Sequence, residues 1–147
     1  MRYFIFMAMI ALMSCKSSPQ QTTEQNAVQE VVSKGKIGLL SGEEFQEKMD
    51  ALTENNKEFT LLDVRTPAEL QADGYLENSI NINFNDADFA AQISHLDKDI
   101  PLFVYCRSGG RSGKSCAILS DLGFKEVYDL DGGIIQWKAD GKPVVNE

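Results

Sequence analysis

Histidine is nearly missing from this chain: His95 stands alone among 147 residues. The cysteines number only three, Cys15, Cys106 and Cys116, and none forms a C-x-x-C pair. A structural zinc site needs about four nitrogen or sulfur ligands at paired spacings, so metal chemistry has no ligand set here. His95 itself lies in Ser94-His95-Leu96-Asp97, ahead of an apolar stretch, and reads as the surface end of a helix. Basic residues are also scarce, 14 against 22 acidic ones, for a formal net charge of −8. That balance argues against nucleic acid as a partner. It also makes any local cluster of arginines informative, because such a cluster opposes the overall field. Long hydrophobic runs are absent. The longest, Tyr3 to Met13, is too short to cross a ~30 Å hydrocarbon core as a helix. The residue patterns call for no cofactor.

What the N-terminus does carry is an address. Arg2 precedes the apolar run, which ends in Leu12-Met13-Ser14-Cys15. A short apolar h-region after a basic residue suits a secretory signal. The four-residue ending resembles a bacterial lipobox, with a leucine three before the cysteine and a small residue one before it. The resemblance implies cleavage after Ser14, diacylglycerol on the Cys15 thiol and acylation of the new amino group. Such a chain is exported and held to a membrane on its extracytoplasmic face. An ordinary signal peptide with an incidental cysteine is the alternative. Residues 15–36 begin Cys-Lys-Ser-Ser-Pro-Gln-Gln-Thr-Thr, too polar to repay ordering, and read as a tether. The expected organisation is a leader over 1–14, a lipidated tether over 15–36 and one folded domain over 37–147.

Within the domain, apolar strand-like runs alternate with helical patterns. Ile37–Leu40 reads as a strand. Ser41 follows as an N-cap, with Glu44 as its capping-box partner, and Phe45, Met49 and Leu52 recur at helical spacing. Phe59–Val64 reads as a strand, and Pro67 opens a short helix through Leu70. Ile80–Ile82 is a brief strand, and 86–96 a helix with Phe89 and Ile93 inward. Pro101–Tyr105 is continuously apolar, as expected of a strand covered on both faces. A helix over 112–122 stops at Gly123; Glu126–Asp129 is the last strand and Gly133–Ala139 the last helix. Strands separated by helices predict an α/β domain built on a mostly parallel sheet. Ligands in such sheets bind beyond the carboxyl ends of the strands.

Two strand ends are polar: Asp63-Val64-Arg65, and Cys106-Arg107-Ser108-Gly109-Gly110-Arg111-Ser112. In the second, glycines let the backbone curl and aim successive N–H groups inward. The following helix adds the positive end of its dipole. The expected result is an anion cradle around the Cys106 sulfur that favours the thiolate and, equally, a persulfide anion. Arg107 and Arg111 are placed to hold an incoming sulfur-bearing anion. Cys116 lies among Ala117, Ile118 and Leu119. It reads as a core residue, with a resolving thiol for Cys106 as the alternative.

Three blocks, Leu61 to Leu70, Val104 to Ser112 and Val127 to Trp137, in that order and spacing, resemble the rhodanese family. The likeness spans about Ile37 to Val144. It implies an α/β fold around a central, mainly parallel five-stranded sheet with helices on both faces. It implies sulfane-sulfur transfer through a persulfide on Cys106, with residues 107–112 around the substrate. Asp63 and Arg65 become polar supports near the loop, and Gly132-Gly133…Trp137 a structural corner. One departure is Gly74-Tyr75-Leu76-Glu77-Asn78-Ser79, where the family often carries a histidine after the glycine; Tyr75 keeps an amphipathic ring but no imidazole. Related phosphatases use Cys-x5-Arg, whereas Ser112 occupies that position here and Arg111 comes one residue earlier. The shorter loop suits a sulfur atom better than a tetrahedral phosphate. The expected reaction is a double displacement from thiosulfate or a similar donor to a thiol, cyanide or protein acceptor. The competing class is a non-catalytic, membrane-tethered binding or sulfur-relay module.

Overall fold

Every neighbouring strand pair in this protein runs parallel, in the order β1-β5-β4-β2-β3. The structure, a computed structural model, describes residues 35–146. The expected leader, the expected lipid site at Cys15 and the expected tether as far as residue 34 lie outside the described residues. The strands are β1 (Lys36–Leu40), β2 (Thr60–Asp63), β3 (Ile80–Asn81), β4 (Leu102–Tyr105) and β5 (Glu126–Leu130). The helices are α1 (Gly42–Glu54), α2 (Pro67–Asp73), α3 (Phe89–Ile93), α4 (Gly110–Asp121) and α5 (Gly133–Ala139).

Strand β4 is central, and its composition explains why. All four of its residues are apolar or aromatic and all are buried, as a strand with both faces covered requires. Alternation then sorts its side chains. Leu102 and Val104 face one core, with Phe89 and Ile93 of α3 and Cys116 and Leu119 of α4. Phe103 and Tyr105 face the other, with Phe45 and Met49 of α1 and Ile134 and Trp137 of α5. Phe45 meets Phe103 edge to face at 5.0 Å. Burying a side chain of this size contributes roughly 1.5–3 kcal/mol, so these aromatics anchor α1 to the sheet. Cys106 continues the alternation and lies in the Leu102 and Val104 core. Register thus decides which face the thiol takes.

Local signals place most helix starts. Ser41 and Glu44 make the expected reciprocal capping box at α1. Thr66 and Glu69 make a second one at α2, where Pro67 occupies the first turn. Three helices differ from the pattern-based reading: α2 runs on to Asp73 rather than ending at Leu70, and α3 and α4 have other bounds. Helix α3 is confined to 89–93 rather than 86–96. The Asn83 side chain donates to the Asp86 carboxylate and accepts from the Asn85 N–H, a local turn that competes with the helix. Helix α4 begins at Gly110, two residues earlier than expected, because Gly109 serves as its N-cap at φ +90°, a conformation glycine adopts without steric cost.

Candidate active site

Cys106 follows directly on β4, and Arg107, Ser108 and Gly109 carry the chain into α4. The loop folds back on the sulfur. The Gly109 N–H donates to Cys106 Sγ at 3.2 Å, and the Ser112 hydroxyl donates to the same sulfur at 3.5 Å. Ser112 Oγ also lies 3.2 Å from the Gly109 carbonyl oxygen, tying the helix's first turn to the loop. Burial by itself pushes the Cys106 pKa up. The Ser112 hydroxyl and the N–H groups of Ser112, Ser108 and Arg111 outweigh it, so the thiol lies below its ordinary value. These groups and the start of a twelve-residue helix present positive dipole ends to the sulfur. Cys106 is only 1 % exposed, at the floor of the loop.

The loop is held from outside by α5. The N–H groups of Ile134 and Ile135 donate to the carbonyl oxygens of Cys106 and Arg107 at 2.9 and 3.1 Å. They are N–H groups that the first turn of a helix leaves without intrahelical partners. The approach is close enough that a Cβ on Gly133 would fall 2.5 Å from the Cys106 carbonyl oxygen, and Gly133 has φ +59°. The Gly132-Gly133 corner is therefore what lets α5 clamp the loop.

The two loop arginines have different surroundings. Arg107 is exposed and has no ion pair among the described residues. It borders a depression of about 170 Å³ shared with Asp73, Ile134, Ile135 and Lys138. Arg111 instead reaches α2, where its two terminal nitrogens donate to the two Glu69 carboxylate oxygens at 2.7 and 2.5 Å. Arg111 above all holds Glu69 well below the usual carboxylate range, at about 2. Glu69 is a site residue that reading the motifs alone leaves without a role. Its signal in the sequence is Thr66-Pro67-Ala68-Glu69, a capping box whose acid has a free face for a second partner.

Asp63 and Arg65 form a fully buried ion pair on the same side of the sheet as Tyr105. Arg65 Nε donates to the Asp63 carboxylate at 3.0 Å, and its terminal NH2 donates to that carboxylate at 2.6 Å and to the Gly74 carbonyl at 2.7 Å. The Tyr105 hydroxyl accepts the Leu76 N–H and pairs with Ser79 Oγ. Neither Asp63 nor Arg65 uses its side chain on residues 106–112; together they lock the turn after α2 to the end of β2. The Tyr75 backbone pairs with Val145, which clips the C-terminal segment to that same turn. Cys116 is buried, and burial first, with the nearby Asp129 charge, pushes its thiol up to about 12. His95 is exposed, just beyond α3.

Asp129 was not singled out by the sequence patterns. Strand alternation places it on the α4 side of β5, beneath Gly113, where it is 6 % exposed with Oδ1 unpartnered among the described residues. Burial, with the neighbouring Asp131 charge, pushes its carboxyl up to about 6. A larger cavity of about 290 Å³ lies among Met49, Phe59, Leu76, Trp137 and Val144, and no residue of the 106–112 loop lines it.

Comparison with known proteins agrees with this geometry. The rhodanese-like domain family matches residues 42–140. A sulfurtransferase of Allochromatium vinosum is 36 % identical over 91 residues, covering 62 % of this chain and 82 % of that one. A thiosulfate sulfurtransferase of Ectopseudomonas mendocina is 40 % identical over 80 residues, covering 54 % of this chain and 70 % of that one. The crystal structure of a rhodanese-related protein of Thermoplasma volcanium superposes with a TM-score of 0.60 at 35 % identity, covering 75 % of this chain and 99 % of that one. A parallel five-stranded sheet delivering a cysteine into a glycine-rich loop at a helix start, with a family match across most of the described residues, has one reading: the chain belongs to the rhodanese-like domain family.

Proposed function

We propose that this rhodanese-type sulfurtransferase carries sulfane sulfur as a persulfide on Cys106, taken from thiosulfate or a similar donor with a terminal sulfur. The observation that carries the reading is the pair of donors, Gly109 N–H and Ser112 hydroxyl, aimed at a buried Cys106 sulfur. They favour the thiolate before the reaction and the persulfide anion after it. In the first step the thiolate attacks the outer sulfur of thiosulfate. A sulfur–sulfur bond forms to Cys106, the donor's own sulfur–sulfur bond breaks, and sulfite departs with the electron pair. In the second step a thiol, cyanide or protein acceptor takes the outer sulfur and the thiolate returns. The depth of Cys106 supports this class of donor, since a single terminal sulfur atom reaches where a tetrahedral phosphate does not. Arg107, next to Cys106 in the chain and exposed, adds a positive charge that attracts the anion.

Incubation with thiosulfate should add one sulfur atom to the purified domain, and cyanide should remove it as thiocyanate. Cys106→Ser should abolish the mass gain, while Cys116→Ser should retain it. Sulfur uptake by Cys106→Ser, read by mass spectrometry, would remove the assignment.

The reading extends to location: Leu12-Met13-Ser14-Cys15 supports export and a lipid anchor on Cys15. Cys15→Ala should then yield an uncleaved or released product on cell fractionation. A mutant that stays membrane-bound, with normal processing and lipid mass, would dismiss the anchor.

A further inference from the structure

Among the titratable groups around the loop, Glu69 does something the sulfur-transfer scheme does not require. Arg111 is one of the two cations that the loop sequence offers to an incoming anion. Yet both of its terminal nitrogens are engaged by Glu69, and the two side chains are equally exposed at 23 %. Arg111 lies near enough to feel the charge of the Cys106 sulfur. The pair thus presents a compensated charge beside the nucleophile, and Arg107 remains as the loop cation with no ion pair among the described residues. Glu69 is itself held by Thr66, whose N–H and hydroxyl both donate to Oε2 at 3.0 Å. The carboxylate is therefore fixed from two helices.

We propose that Glu69 is a specificity-determining positioning residue. By neutralising Arg111 it lowers the positive potential around Cys106, so that among the donors the site takes, those carrying less charge than dianionic thiosulfate, such as an alkyl persulfide, are favoured over it. The inference rests on Cys106 being the sulfur carrier, and it concerns which donors that cysteine accepts. A unit charge several ångströms from the sulfur, screened by an effective dielectric between that of water and that of a protein surface, changes the encounter with a monoanion by roughly three- to tenfold. A dianion is affected more.

The test compares alkylation of Cys106 by iodoacetate, an anion, and by iodoacetamide, its neutral counterpart, at low salt. The ratio of the two rates reports the local field and cancels changes in loop access. Glu69→Gln keeps the capping box, since glutamine serves at that position, but removes the charge. The iodoacetate-to-iodoacetamide ratio should rise ~3- to 10-fold, and 1 M salt should erase the gain. Arg111→Gln leaves Glu69 uncompensated and should lower the ratio below that of the unmodified protein. The double variant should return close to it. In parallel, the KM for thiosulfate in Glu69→Gln should fall while kcat changes little. An unchanged ratio in either single variant, or an equal drop with both reagents, would overturn the proposal and leave Glu69 as a latch between α2 and α4 only. Should no variant take up sulfur from any donor while the ratios still move as described, the sulfur-carrier reading fails and the electrostatic role of Glu69 stands.

Discussion

At the scale of single residues, two kinds of group lie around α4: those that stabilise a negative charge at Cys106, and a buried carboxylate whose own charge is disfavoured. Ser112 and the Gly109 N–H are of the first kind. Alkylation of Cys106 should accordingly stay fast below pH ~8.5, where a free thiol begins to lose its thiolate. A rate profile with its midpoint at or above that value would contradict the cradle. Asp129 is the buried carboxylate, and the thiol its charge acts on is Cys116. Its carboxyl is pushed up to about 6 from 3.8, so the folded state holds a proton that the unfolded state has already released. Stability therefore falls as pH rises from about 4 through 6, since the unfolded chain binds fewer protons there. Asp129→Asn should remove this slope and stabilise the domain at pH 7 by up to about 3 kcal/mol. Chemical denaturation at pH 4 and pH 7 checks it, and a gain of equal size at both would show that ionisation is not the cause.

At the scale of elements, the site is an assembly of helix starts. Helix α4 supplies the sulfur's donors, α5 clamps the loop carbonyls, and α2 carries the partner of Arg111. The clamp depends on Gly133, where a methyl group would strike the Cys106 carbonyl. Gly133→Ala should cost about 2 kcal/mol or more, from the positive φ and the clash together. Gly110 offers the control. Nothing lies within 4 Å of its added Cβ and it sits in the helix, so Gly110→Ala should be neutral or stabilising by up to about 1 kcal/mol. Urea midpoints for both variants decide the matter, and a Gly133→Ala protein as stable as the parent would dissolve the clamp.

At the scale of the whole molecule, two ion pairs act in different ways, one between near neighbours in the chain and one across 42 positions. Asp63 and Arg65 are fully buried, and removing either partner leaves a charge with no solvent to compensate it, at a cost of about 3–5 kcal/mol. Asp63→Ala and Arg65→Ala should therefore lower the melting temperature sharply while the remaining folded protein still takes up sulfur. Unchanged melting with complete loss of turnover would make the pair part of the chemistry. The Glu69–Arg111 bridge, in contrast, governs acid stability. With its pKa lowered from 4.5 to about 2, Glu69 contributes stability that is present above pH ~4.5 and is lost as pH falls toward 2. Glu69→Gln should flatten acid unfolding over that window.

Much of this was legible in the amino-acid sequence because the signals are local. A continuous apolar run marks β4, Ser41 and Glu44 mark the start of α1, and a cysteine followed by glycines and arginines at the end of a buried strand marks the candidate site. Each depends on residues within about six positions of one another, where backbone geometry alone decides who meets whom. What those signals could not decide is which residues meet across the sheet. Glu69 and Arg111 lie 42 positions apart, and only the packing of α2 beside α4 turns an apparent anion-binding arginine into half of a compensated pair. Asp129 looks like one more acid in an acidic chain until β5 registers against β4 and points it under α4. Local patterns were enough for the fold class and for the glycine-rich loop that follows Cys106. The tertiary structure decided the charge around that loop, because electrostatic energy depends on distance and burial, which strand order and helix packing set.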